Sequence, residues 1–179
     1  MKLQVLWLLA LLNWPTSMLG QPTTDSLNRE LSTLFLNLPL QEGGSLLRNQ
    51  FQSRTTYAGN DTVGVISYHL PFQVHPQVAY PFKQGDIRLI DERTHYILEI
   101  SFLLKKPSDV ERLYADLLET FKPYAQQVKK EDWIQKGEGP YLTELYFNKD
   151  QEYPALHLIG GKGSGFTRVV VSYVNEKLE

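Results

Sequence analysis

Between His95 and Lys122 the spacing of apolar residues changes period, and this junction restricts the fold more than any other stretch. Tyr96, Leu98, Ile100, Phe102 and Leu104 alternate with their neighbours, so an extended chain carries all five on one face. Beyond Lys105-Lys106-Pro107, the residues Val110, Leu113, Tyr114, Leu117, Leu118 and Phe121 recur at helical spacing and predict a helix over 108–122. Ser108-Asp109-Val110-Glu111 has the spacing of a capping box, in which serine and glutamate satisfy free amide donors, and Pro123 ends or kinks the helix. Burying each apolar side chain of that stripe is worth roughly 1.5–3 kcal/mol before conformational entropy is counted. A half-buried strand followed by a helix with one apolar stripe places that helix on a sheet.

The rest of the chain extends this pattern. Asp25 is positioned to cap a helix carrying Leu27, Leu31, Leu34, Phe35 and Leu38 on one stripe, stopped by Pro39. After Gly43-Gly44-Ser45 a shorter helix is expected over 46–52, pairing Leu47 with Phe51. Strands are expected over 62–70, 87–90 and 95–104, with Asp91-Glu92-Arg93-Thr94 as a hairpin turn, and again over 141–147, 155–159 and 166–174. Lys129-Lys130-Glu131-Asp132 reads as a solvated turn. Helix, three strands, helix, three strands is the resulting order. It predicts an α+β fold for residues 21–179 as a single domain: a two-layer sandwich, an antiparallel sheet with helices on one face, compatible with a duplicated helix-plus-three-strands unit.

The start of the chain points to export. Met1-Lys2, an apolar run from Leu3 to Leu12 broken only by Gln4, and small or polar residues to Gly20 form the pattern of a signal peptide over 1–20, although Met18 is bulky for a cleavage site. The run is shorter than the roughly 20 residues of a transmembrane span. An uncleaved interfacial anchor is the alternative. There is no cysteine, which removes thiol catalysis, cysteine-bound zinc and disulfide staples, and the expected location is periplasmic or secreted. The formal net charge is −2, and the lysines and arginines are scattered with no basic face, which sets nucleic acid aside as a partner. A lone Asn60-Asp61-Thr62 sequon arises often by chance.

Two successive units of helix followed by antiparallel strands resemble the β-lactamase-inhibitor-protein-like fold, shared with small envelope assembly factors. Phe35-Leu36-Asn37-Leu38-Pro39-Leu40, followed by a glycine pair and a short helix, is also similar to the opening of exported Bacteroidetes proteins of unknown function. The first resemblance covers most of the chain after the leader. It implies an open sheet face that binds other proteins and carries over no residue-level motif.

Catalytic templates fit poorly. Gly160-Gly161-Lys162-Gly163-Ser164-Gly165 has the composition of a phosphate loop, but Lys162 precedes Gly163 and the next element is a strand, so a hairpin turn is expected. His95, Glu99 and Ser101 share a strand face, yet His95 and Glu99 lie about 13 Å apart along it, beyond hydrogen-bond reach. Partners such as Glu144, Arg168 or Ser172 would have to come from neighbouring strands. The histidines His69, His75, His95 and His157 form no metal-ligand spacing, although a loop at Pro71 could bring His69 and His75 together. Asp91-Glu92 and Glu131-Asp132 are adjacent acids in turns and make no glycosidase pair. No cofactor is expected.

Residues 70–82 are long, apolar, uncharged and punctuated by Pro71, Pro76 and Pro81. If Phe72, Tyr80 and Phe82 face solvent, they form a preorganised aromatic contact patch; if they cover a sheet edge, they are packing. Tyr146, which alternation puts on the face opposite Tyr141, and Arg168 complete the candidate binding residues. The expected function is a non-enzymatic module that binds another envelope or secreted protein. A carrier of a small apolar ligand, with its pocket between the 108–122 helix and the sheet, and a hydrolase assembled from several strands are the alternatives.

Overall fold

The computed structural model describes residues 23–40, 44–54, 57–60, 66–91, 95–132, 139–148, 150, 155–163 and 165–176. The signal peptide expected over 1–20, most of the sequon and most of the hairpin turn expected over 91–94 lie outside them. Three helices, α1 (Thr24–Leu34), α2 (Gly44–Arg54) and α3 (Pro107–Phe121), accompany eight strands: β1 (Tyr57–Asn60), β2 (Ile66–Phe72), β3 (Phe82–Asp91), β4 (His95–Leu104), β5 (Gln127–Asp132), β6 (Gly139–Tyr146), β7 (Leu156–Lys162) and β8 (Arg168–Glu176). All eight form one sheet in the order β1-β2-β3-β4-β8-β7-β6-β5, and each neighbouring pair is antiparallel. Two four-stranded meanders therefore meet at their last strands, β4 against β8, with α3 as the crossover between them. The α+β class and the antiparallel sheet expected from the sequence are present, with four strands in each half rather than three.

The layers follow from the alternation. Tyr96, Leu98, Ile100, Phe102 and Leu104 of β4 are buried, and their register continues into Ile87 and Leu89 of β3, Val169 and Val171 of β8, and Leu156 and Leu158 of β7. α3 lays Val110, Leu113, Tyr114, Leu117 and Phe121 on this face, chiefly over β7. α1 packs Leu27, Leu31 and Leu34 beside α3, while α2 brings Phe51 against Tyr68 of β2 with ring centroids 6.5 Å apart. Among the described residues all three helices lie on this one face.

Several local signals work differently from the sequence expectation. Thr23, not Asp25, caps α1, exchanging hydrogen bonds with Ser26. α1 ends at Leu34, before Pro39, because Leu36 and Asn37 turn left-handed (φ 53° and 58°), and Asn37 N–H and Leu36 N–H bond back to the Ser32 and Thr33 carbonyls. α3 starts without the Ser108 capping box: Lys106 is the cap, no side chain bonds there, and Pro107 supplies a preset φ at the first turn. Lys129-Lys130-Glu131-Asp132 is no turn but most of β5, an edge strand whose six residues are all exposed.

Candidate functional site

The face of the sheet turned away from the helices carries the polar side chains of the alternating strands. Registered pairs align His69, Arg88, Glu99, Ser172, His157, Glu144 and Lys129 in one row that crosses β2, β3, β4, β8, β7, β6 and β5. Each strand contributes one residue because every second side chain points this way, and antiparallel pairing sets neighbours roughly 5 Å apart. Apolar rows flank it. Val170, Ile159 and Leu142 lie on one side; Ile90, Ile97 and Val174 lie on the other. Ile159 is 38% exposed, among the most open large apolar side chains described.

Two polar clusters stand on this face. At one end, a shallow depression of about 80 Å³ is lined by Gln84, Asp86, Ser101, Leu103 and Arg168. His69 Nδ1 donates to Asp86 Oδ2 at 2.9 Å and orients that carboxylate at its edge. At the β5–β6 edge, Tyr146 donates to Glu144 Oε2 at 3.2 Å and accepts from Lys129 Nζ at 3.1 Å, with the ammonium 4.6 Å above the tyrosine ring. The bond to Tyr146 raises the Lys129 pKa above its usual value. Of the candidate binding residues, Arg168 and Tyr146 thus share the uncovered face but mark opposite ends of it. Arg168 is exposed at the depression; Tyr146 is buried under the Lys129 head group.

The aromatic candidates sit on the other side, and of the two arrangements open to them, contact patch or packing, they adopt packing. Phe72 is only 9% exposed and packs edge-on against Phe82 and Phe102 at 5.7 and 5.6 Å. Gly85 makes this possible, since a Cβ there would fall 2.1 Å from the Phe72 ring. Phe82 and Tyr80 are half-buried against the same core, and Tyr80 donates to Asp116 Oδ2 of α3 at 2.7 Å. The prolines leave the segment short of ladder donors, so it folds back over the aromatic end of the sheet instead of adding a strand.

The chemistry available is limited. Glu144, His157 and Ser172 are consecutive in the polar row, the partners from neighbouring strands that a hydrolase would need. However, His157 Nε2 is inaccessible and bonds to nothing among the described residues, so no relay links the three. Burial lowers the His157 pKa despite the opposing pull of Glu144, which keeps the ring neutral at pH 7. Interior ladders also commit the backbone N–H groups that an oxyanion would require. Glu99 and Ser101 point to the same face, while the side chain of His95 falls outside the description. His69 and His75 are not brought together: His69 lies on the uncovered face and His75 beneath α1. Among the described residues no group of three His, Asp or Glu side chains could hold a metal ion.

The glycine-rich stretch is steric in origin. Gly160 and Gly161 belong to β7 rather than to a turn; a Cβ on Gly160 would press Tyr114 and Tyr141 at 2.8 Å, and one on Gly161 would strike Phe166 at 2.2 Å. Tyr114 and Tyr141 meet edge-on with centroids 4.5 Å apart, Tyr114 bonds to Thr143, and Tyr141 donates to the Gly161 carbonyl at 3.1 Å. These contacts occupy the α3–sheet interface, the place that the alternative carrier reading gives to its pocket. Sequence reasoning missed Asp86, Lys129 and Gln84 as surface-forming residues; only their strand parity, opposite to that of the apolar residues, could have pointed to them.

No protein-family model, no curated protein and no solved structure matches the chain.

Proposed function

We propose that this chain is an exported, non-enzymatic protein-binding module whose contact surface is the sheet face opposite its helices. The observation that carries the reading is the placement of all described helices on one face, which leaves a polar row flanked by apolar rows on the other. Mixed rows of this kind suit an interface, where apolar contact supplies affinity and fixed charges supply register. The leader pattern over 1–20 supports export to a periplasmic or secreted location, and no described helix is long and apolar enough to cross a membrane. The two helix-then-meander halves support the likeness to the β-lactamase-inhibitor-protein-like fold and a duplicated unit of helix plus four strands. Its partner is another envelope or secreted protein.

Crosslinking followed by affinity purification from the native host identifies that partner, and Ile159→Asp, Arg168→Glu and Glu144→Arg test the surface. Each variant is expected to keep the parent's cooperative unfolding, because these side chains face away from the helix layer, and to weaken partner binding at least tenfold. Undiminished binding by all three would sink the surface assignment.

A further inference from the structure

His75 occupies a position that a neutral imidazole fits and an imidazolium does not. The ring is 4% exposed, with centroids 5.7 and 5.2 Å from those of Phe72 and Phe102. Its Nε2–H donates to the Leu34 carbonyl at 2.7 Å, satisfying one of the acceptors that the end of α1 leaves without a helical partner. Its Nδ1 accepts from the Gln77 N–H at 3.2 Å. Together the two bonds fix the tautomer and tie the segment between β2 and β3 to α1. The segment's other ties are Gln77 Nε2 to Glu30 Oε2 at 3.1 Å, Tyr80 to Asp116, and Lys105 N–H to the Pro81 carbonyl.

We propose that His75 is an acid-sensitive latch: its protonation releases residues 73–81 from the end of α1 and uncovers the Phe72–Phe82–Phe102 cluster beneath. A proton on Nδ1 sets one donor against another at the Gln77 amide and puts a charge among phenylalanine rings. The groups packed around the ring offer little to offset it. From α1 the nearby acid is Glu30, already bonded to Gln77; from α3, Asp116 holds Tyr80 at the far end of the segment; the strands contribute phenylalanines. Burial holds the His75 pKa below its ordinary value, with the Leu34 bond working against that shift. The unfolded or released histidine therefore takes up protons first, and the closed state loses ground as pH falls below about 6.5. The latch lies on the helix side of the sheet and stands independently of the proposed contact surface.

The test is amide exchange of the purified protein from pH 8 to 5, corrected for intrinsic rates, alongside NMR titration of the histidine rings. Protection across 73–81 is expected to fall by up to about tenfold per pH unit below pH 6.5, following the His75 midpoint. His75→Gln, which keeps a donor and an acceptor but does not titrate, is expected to flatten that dependence. Protection that stays constant to pH 5, falls equally in His75→Gln, or follows the midpoint of His69 or His157 overturns the latch. Should His75→Gln not fold, the unaltered protein decides: protection that follows the His75 ring midpoint supports the latch, and protection that stays constant or follows another ring overturns it.

Discussion

Phe72 and Gly85 illustrate how one side chain's position depends on the absence of another. The Phe72 ring lies where a β-carbon on Gly85 would stand, and from there it reaches Phe82 and Phe102. An aromatic residue flanked by prolines looks the same in sequence whether it faces water or the core; the glycine across the ladder decides. Phe72→Ala is accordingly expected to destabilise the protein by about 3–5 kcal/mol in urea denaturation, the cost of emptying a packed aromatic site. Tyr80→Phe, which removes only the bond to Asp116 at the surface, is expected to shift the denaturation midpoint far less. Equal and small effects from both would return Phe72 to the surface. Similarly, the left-handed pair Leu36 and Asn37 ends α1 without a glycine, a conformation asparagine adopts more readily than most side chains.

At the scale of elements, β5 shows why an exposed strand escapes pattern reading. A half-buried strand announces itself by alternation, whereas β5 faces water along its whole length and reads Gln-Val-Lys-Lys-Glu-Asp. Its pairing with β6 is backbone hydrogen bonding, to which side-chain identity contributes little. The charges have a physical consequence at a sheet edge, where unpaired backbone groups invite another chain. Lys130 and Asp132 form an ion pair at 3.2 Å, and Lys129 lies over Tyr146. Replacing Lys129, Lys130 and Asp132 together by valine is expected to leave the fold intact and cause concentration-dependent association, seen as rising light scattering. A triple variant that stays monodisperse would show that the edge is protected by other means. By contrast, α3 was legible almost to the residue, because its six-residue stripe has one face to bury and Pro107 a fixed φ to begin it.

Across the whole molecule, burial of tyrosines between α3 and the sheet couples stability to alkaline pH. Desolvation, reinforced by Glu111, Tyr114 and Asp132, raises the Tyr141 pKa to about 12, and burial also raises those of Tyr114 and Tyr173. These phenols keep their protons longer when folded than when unfolded. The stability linked to them is therefore complete below about pH 10 and is lost as pH rises from there through about 12. Denaturation midpoints are expected to drop over that range, and Tyr141→Phe is expected to reduce the slope even though it forfeits the bond to Gly161. A slope unchanged by that substitution would assign the effect to other groups. The strands' alternation made the helix-facing layer readable in advance. The composition of the uncovered face was not readable, since aligning His69 with Lys129 requires the register of every intervening pair.

By itself, the sequence determined periods: which residues alternate, which recur each helical turn, and that an amphipathic helix follows an amphipathic strand. From these came the α+β class, the antiparallel sheet and the buried side of β4 and α3, because a local pattern dictates which face of its own element is apolar. The tertiary structure alone decided which strands became neighbours, that β4 joins β8, that the proline-rich segment folds over Phe102, and that His75 meets the end of α1. Those outcomes depend on contacts between residues far apart in the chain, where register, a missing β-carbon or an unfilled carbonyl selects the partner. No local pattern encodes that choice.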